Sequence, residues 1–270
     1  MNTALLGHTW RSQRLKLVVV GSGLVLWGFL MPVIYATFGV DFRRLTDSGV
    51  IPEQFTQFTE FGGGDLFSVA GAIGLGFVHP IALLLIGVFA VGFAAAAVAG
   101  ERQRGTLEVI LARPVSRRTL YLTLFVATLI FVATAVGAVL VGAVVGATAF
   151  NVIDELPTGN LPVLWLNGTL LFMALGAIGL AASVSFDRLT PALGITLGVT
   201  IVSYFLEILG SLWPDAEPLQ PYSLFHYLQP REVLNEGMQT FDVGLLLVVI
   251  AAAVIYALLA FPRRDIAAPS

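Results

Sequence analysis

Apolar stretches long enough to cross a bilayer alternate along this chain with shorter polar ones. A span needs about 20 mostly apolar residues. Six stretches qualify, at roughly residues 17–38, 78–99, 119–149, 163–184, 189–212 and 243–261. Pro80 falls in the first turn of the second, where its missing N–H is not needed. The third is longer than a bilayer requires, so it should tilt or protrude. Basic residues precede the first, as in a signal peptide. Its apolar run is too long for one and lacks a small-x-small exit, so it reads as a retained span. Residues 66–77 are also apolar, but about 12 residues rise only about 18 Å as helix. That predicts an interfacial or re-entrant piece within the long connection 39–77. The other long connection, 213–242, is rich in Pro, Tyr and Phe and should pack near the same membrane face. Two GxxxG pairs, Gly142/Gly146 and Gly194/Gly198, allow close helix approach. They suit ordinary packing inside the membrane, or a dimer or gate contact.

Composition agrees with this pattern. Of 270 residues, 57% are hydrophobic and 11% charged, against about 25% charged in a soluble domain. The expected fold is an all-α integral membrane protein, with residues 1–270 forming a single six-span domain. Six spans place both termini on one side. Eleven of the fourteen Lys and Arg residues then share that side: Arg11, Arg14 and Lys16 in an N-terminal arm, five arginines between spans two and three, Arg188, and Arg263 with Arg264. Only Arg43, Arg44 and Arg231 face the other way, among most of the acidic residues. The positive-inside rule therefore predicts N-in, C-in.

Several chemistries lack their residues. There are no cysteines, and the three histidines (His8, His79 and His226) are scattered, so no histidine-based metal site is expected. A P-loop requires a glycine directly before its lysine, and the one lysine, Lys16, follows Leu15. Gly21-Ser22-Gly23 lacks the spacing of a nucleophile elbow. No enzymatic constellation and no cofactor site is expected. One carboxylate, Glu207, falls inside a span near its outer end. It would snorkel, pair with a neighbour, or serve a substrate path or outer gate.

The densest charge lies at residues 100–121, which hold Glu101, Arg102, Arg104, Glu108, Arg113, Arg117 and Arg118. At about 100° per residue, Glu101, Arg104, Gly105 and Glu108 share one helix face. Leu107 and Ile110 point away, Leu111 borders the two, and Pro114 ends or kinks the helix. The segment reads as a short cytoplasmic amphipathic helix between spans two and three. It could lie on anionic lipid through its arginines or dock a protein. Glycine in the polar face lowers helix stability but permits close approach of another backbone, which favours docking.

Glu101, Gly105-Thr106-Leu107-Glu108 and Leu111-Ala112-Arg113-Pro114-Val115-Ser116-Arg117 together resemble the signature of ABC-2 type transporter permeases. The stretch Phe261-Pro262-Arg263-Arg264-Asp265-Ile266 resembles that family's common ending. Ile110 departs from the usual first leucine of a pair, and Tyr121 to Leu124 lack the family's early lysine. The resemblance implies a non-catalytic permease of the prokaryotic plasma membrane, mostly an exporter in this family. It would dimerise with a second copy or a paralogue and pair with a separate ATPase subunit that binds the ATP. It assigns ATPase coupling to Glu101, Arg102, Arg104, Gly105, Thr106, Leu107, Glu108, Leu111, Pro114, Arg117 and Arg118. In that assignment Glu101 and Arg104 make polar contacts, Gly105 packs closely, Leu107 and Leu111 seat the apolar side, and Pro114 sets the angle into span three. The competing class is a membrane scaffold or assembly protein whose basic helix binds lipid or a different partner. The apolar walls favour an amphiphilic cargo over a small ion, and nothing suggests nucleic acid.

Overall fold

A computed structural model describes residues 2–48 and 68–264, and all its regular elements there are helical. Five helices are long and apolar enough to cross a membrane, or six if one bent pair is a single span. The 45-residue α1 (Thr3–Asp47) comes first. It starts well before the apolar run, because Arg, Lys, Gln and Leu are good helix formers, no proline falls in residues 3–16, and Gly7 costs only about 1 kcal/mol. The basic N-terminal arm expected from the sequence is therefore the first four turns of α1. The third of the expected spans is α6 (Arg117–Ala149).

Helices α1 and α6 run in parallel with a nearly constant offset. The Asn2 amide donates to Thr123 Oγ1 at 3.0 Å. Trp10 stacks on Phe131 with centroids 5.9 Å apart. Further along, a Cβ on Gly142 would sit 2.0 Å from the Val25 carbonyl oxygen, and one on Gly146 2.5 Å from that of Phe29. A Cβ on Gly28 would lie 2.1 Å from the Val139 oxygen. Tyr35 then donates to Glu155 at 2.7 Å. The Gly142/Gly146 pair thus serves packing within the chain. A Cβ added to Gly194 or Gly198 would meet no atom of another element within 4 Å.

The second span is bent. Helix α2 (Val69–Val78) meets α3 (Pro80–Ala96) at 50°. Ser68 caps α2 by accepting from Gly71 N–H, and His79, extended at ψ 141°, separates the two with Pro80 opening α3. Nearly all of α2 is buried, packed on α1 and a short helix, α9 (Pro230–Glu236). The Trp27 indole N–H donates to Gly76 O at 2.8 Å and its ring faces His79. The apolar stretch expected at the interface is therefore enclosed by protein over its described part; Leu66 and Phe67 lie outside the described residues, as do Gly62 to Asp65. Within α3, Val88–Phe93 form a π-helical turn. Phe89 and Phe93 both reach the Phe131 ring, at 5.1 and 5.3 Å.

The remaining spans are α7 (Leu161–Ser185), α8 (Leu189–Leu212) and α10 (Thr240–Arg263). They agree with the sequence-derived limits to within three residues. Helix α7 is central, with 72% of its most apolar window buried, against 22% for α8 and 17% for α10. The latter two therefore carry the open apolar faces. Residues 213–239 fold back over the end of α8 as two 3-10 turns and α9. Ser223 Oγ donates to Ser203 O at 2.7 Å, and Asn160 donates to Leu234 O at 2.9 Å.

The two GxxxG pairs should respond oppositely to an added methyl group. Gly142→Ala should lower the thermal midpoint of the purified chain by the equivalent of about 1–3 kcal/mol, the usual cost of overpacking. Gly194→Ala should be neutral or raise it by up to about 1 kcal/mol through helix propensity. Fluorescence-detected unfolding in detergent measures both.

Candidate functional site

The chain between spans two and three forms a knuckle of two short helices, α4 (Ala99–Gln103) and α5 (Leu107–Leu111). Ser183 of α7 starts it, its buried hydroxyl oxygen accepting from the N–H groups of Val98 and Ala99 at 2.9 Å each. Gly105, at φ +71°, stops α4. Its N–H donates to Arg102 O and the Thr106 N–H donates to Glu101 O, both at 2.9 Å. That bond pair is a Schellman stop, which a left-handed glycine provides without a Cβ clash. The single amphipathic helix expected from the sequence is therefore interrupted at Gly105, and Glu108 no longer shares a helix face with Glu101. Pro114 follows α5, as expected. Ser116 caps α6 by accepting from Thr119 N–H at 3.1 Å.

Several candidate residues turn inward. Leu107 is buried among Leu120, Tyr121, Leu124, Ala257 and Phe261. Its packing is spent on the chain's own spans. Arg102, with a side chain only 13% exposed, pairs with Asp187 in the α7–α8 turn at 2.8 Å. Arg264 binds the same Asp187 oxygen and also donates to Val184 O. Gln103 Oε1 accepts from the Leu189 N–H at 2.9 Å, satisfying the start of α8. Arg117 donates to the carbonyls of Phe261, Pro262 and Arg264 at the end of α10, with its guanidinium over the Phe261 ring. Glu101 holds Arg104 and the Thr106 hydroxyl within the knuckle. Leu111 and Gly105 are half-buried.

The outward surface is different. Arg104, Thr106, Glu108, Val109, Arg113, Pro114 and Arg118 are exposed. Val109, 65% exposed, was not singled out from the sequence. Nor were Gln103, Ser183 or Asp187. Asp187 had a signal: it is the acidic residue of a very short polar turn between two apolar runs. Arg264 was noted only as a charge of the tail motif; Asp265 and Ile266 of that motif lie outside the described residues.

Glu207 lies far from the knuckle, under the folded connection 213–239. It is 2% exposed, so it does not snorkel. Its Oε2 lies 3.8 Å from His226 Nδ1, within ion-pair range but beyond hydrogen-bond length, and neither atom has a hydrogen-bond partner. Among the described residues, no group of three or more His, Cys, Asp and Glu is placed to hold a metal ion.

The family model described as "ABC-2 family transporter protein" matches residues 18–266. No curated protein matches the chain.

Removing the shared anchor should loosen the knuckle without unfolding the spans. Asp187→Ala should speed hydrogen exchange at residues 102–106 about fivefold, an opening about 1 kcal/mol easier, as expected for a solvent-facing ion pair. Asp187→Glu should stay near wild type, and exchange in α7 should not change.

Proposed function

The chain belongs to the ABC-2 transporter family, and on that footing we propose that it is the permease subunit of an exporter, driven through the α4–α5 knuckle by a separate ATPase. One observation carries this reading. The knuckle is covalently joined to α3 and α6 and tied by side chains to the α7–α8 turn and the end of α10. A push on its outer surface reaches every span except α1 by a polar or covalent link. The exposed set Glu108, Val109, Arg113 and Arg118 offers an apolar centre flanked by both charges, suited to a groove on the ATPase. Arg102, Leu107 and Arg117 act behind that surface and transmit its displacement inward. Gly105 is the joint between the two halves.

The multi-pass membrane character follows from the family and the apolar helices. Orientation with the knuckle inside is supported by charge. Setting Arg11, Arg14 and Lys16 aside, eight arginines remain at the knuckle, the α7–α8 turn and the α10 end. Three arginines, Arg43, Arg44 and Arg231, stand against them. A second permease copy would cover α8, where Gly194 and Gly198 face open space. Glu207 and His226 sit where the outer connection closes over α8, and would hold an outer gate shut.

Co-purification with the ATPase encoded beside this chain tests the reading. Val109→Asp should abolish the complex while the permease still inserts. Gly105→Trp should retain the complex but uncouple ATP hydrolysis from transport, because a non-glycine residue at φ +71° shifts the joint. Unchanged coupling in Gly105→Trp would remove the knuckle from the mechanism. Failure of any ATPase to bind the wild-type chain would move the reading to a membrane scaffold.

A further inference from the structure

The register between α1 and α6 places three cations where the sequence did not. Arg117 marks the knuckle end of α6, and Trp10 stacks on Phe131. Phe131 lies about 21 Å beyond Arg117, at about 1.5 Å rise per residue. Arg11, Arg14 and Lys16 follow Trp10 along a parallel helix. They therefore sit about 21–30 Å from the Arg117 level, within the thickness of a bilayer core of about 30 Å. A charge at such depth is costly unless it faces water, a counter-charge or an anionic ligand.

Lys16 faces a cavity of about 690 Å³, within the usual range for ligand sites. The cavity has two unlike walls. On one side α1 presents His8, Thr9, Ser12, Gln13 and Lys16, a polar stripe at helical spacing. On the other side stand Phe93, Leu120, Leu124 and Leu193. The π-helical turn contributes Val88, Gly92 and Phe93 to the lining, as such turns often do at functional sites. Glu101 and Arg104 at the rim neutralise each other. Lys16 is left as the cavity's uncompensated charge among the described residues.

We propose that this cavity binds an amphiphile with an anionic headgroup, phosphate or carboxylate. Lys16 and Gln13 take the headgroup, and the tail lies along Phe93, Leu120, Leu124 and Leu193. The polar stripe supplies one strong charge-assisted donor with the neutral Gln13 amide beside it, which suits a single anionic group. The Thr9 and Ser12 hydroxyls are spent on backbone carbonyls of α1. The opposite wall offers only contact, which suits a hydrocarbon chain. Glu101 and Leu107 of the knuckle belong to the cavity's own lining, so an occupant would be felt where the ATPase is proposed to push. That last link rests on the permease reading; the binding itself does not.

The test uses the full chain in phosphatidylcholine nanodiscs, without any ATPase. Trace phosphatidic acid carrying a photoreactive group on its tail is compared with an identically labelled phosphatidylcholine. Peptide mapping should show the acidic probe attached to α3, α6 and α8 around the cavity, well above the neutral one. Lys16→Glu should cut that labelling about tenfold, as loss of one charge-assisted contact and gain of a repulsion predict. Lys16→Arg should preserve it, and Gln13→Glu should lower it in a chain that keeps Lys16. Excess dodecyl phosphate distinguishes the sources: displacement of the probe identifies a site open to soluble cargo, and selective labelling that resists displacement identifies a resident lipid. Either result upholds an anionic-headgroup site. Equal labelling by the two probes, or labelling unchanged in both Lys16→Glu and Gln13→Glu, overturns it.

Discussion

The contact between α1 and α6 sets the geometry of everything else. Gly28, Gly142 and Gly146 bring the two backbones within reach of carbonyl contact, and no other residue type fits there. Hydrocarbon solvates Leu as well as protein does, so helices in lipid associate through close packing rather than through the hydrophobic effect. A glycine-lined seam of this kind fixes register as well as proximity, because sliding by one residue would drive a side chain into a backbone. Trp10 on Phe131 and Tyr35 on Glu155 hold the same offset at distant points. The placement of Arg11, Arg14 and Lys16 along α6, and of Lys16 in the polar wall of the cavity, follows from that offset.

The knuckle obeys a different logic. Its two helices are each too short to be stable alone. They persist because orphan backbone groups find partners: Ser183 of α7 satisfies the start of α4, and the Gly105 stop closes its end. Basic side chains that look from the sequence like a docking surface are instead divided between two tasks. Arg102 and Arg117 bind inward to the turn and tail, while Arg104, Arg113 and Arg118 remain at the surface.

Hydropathy located four spans closely, because burial in lipid imposes a minimum apolar length that shows in composition alone. The helix that carries the first apolar run begins fourteen residues before it, because Arg11, Arg14 and Lys16 lower hydropathy while their helix propensity is good. Identical GxxxG patterns had opposite fates, since Gly142 and Gly146 meet α1 and Gly194 and Gly198 meet nothing. Which helix a small-residue face meets is a tertiary fact. Gly105 is the fairest miss. A glycine after a polar helix is a stop signal, yet it was taken as part of a continuous face. The Arg102–Asp187 pair joins residues far apart in the chain and could not be seen locally, although charge in so short a turn invited the question.

Arg102 finds Asp187 only after α7 has been made, and Arg117 finds the α10 carbonyls only after the last described helix has been made. During synthesis the knuckle emerges early and waits, unanchored, for most of the remaining chain. A chain halted before α10 would expose this segment without its ties to that helix. The final shape of the knuckle thereby becomes a report on whether α7 and α10 have been made and packed, a check that needs no dedicated inspector.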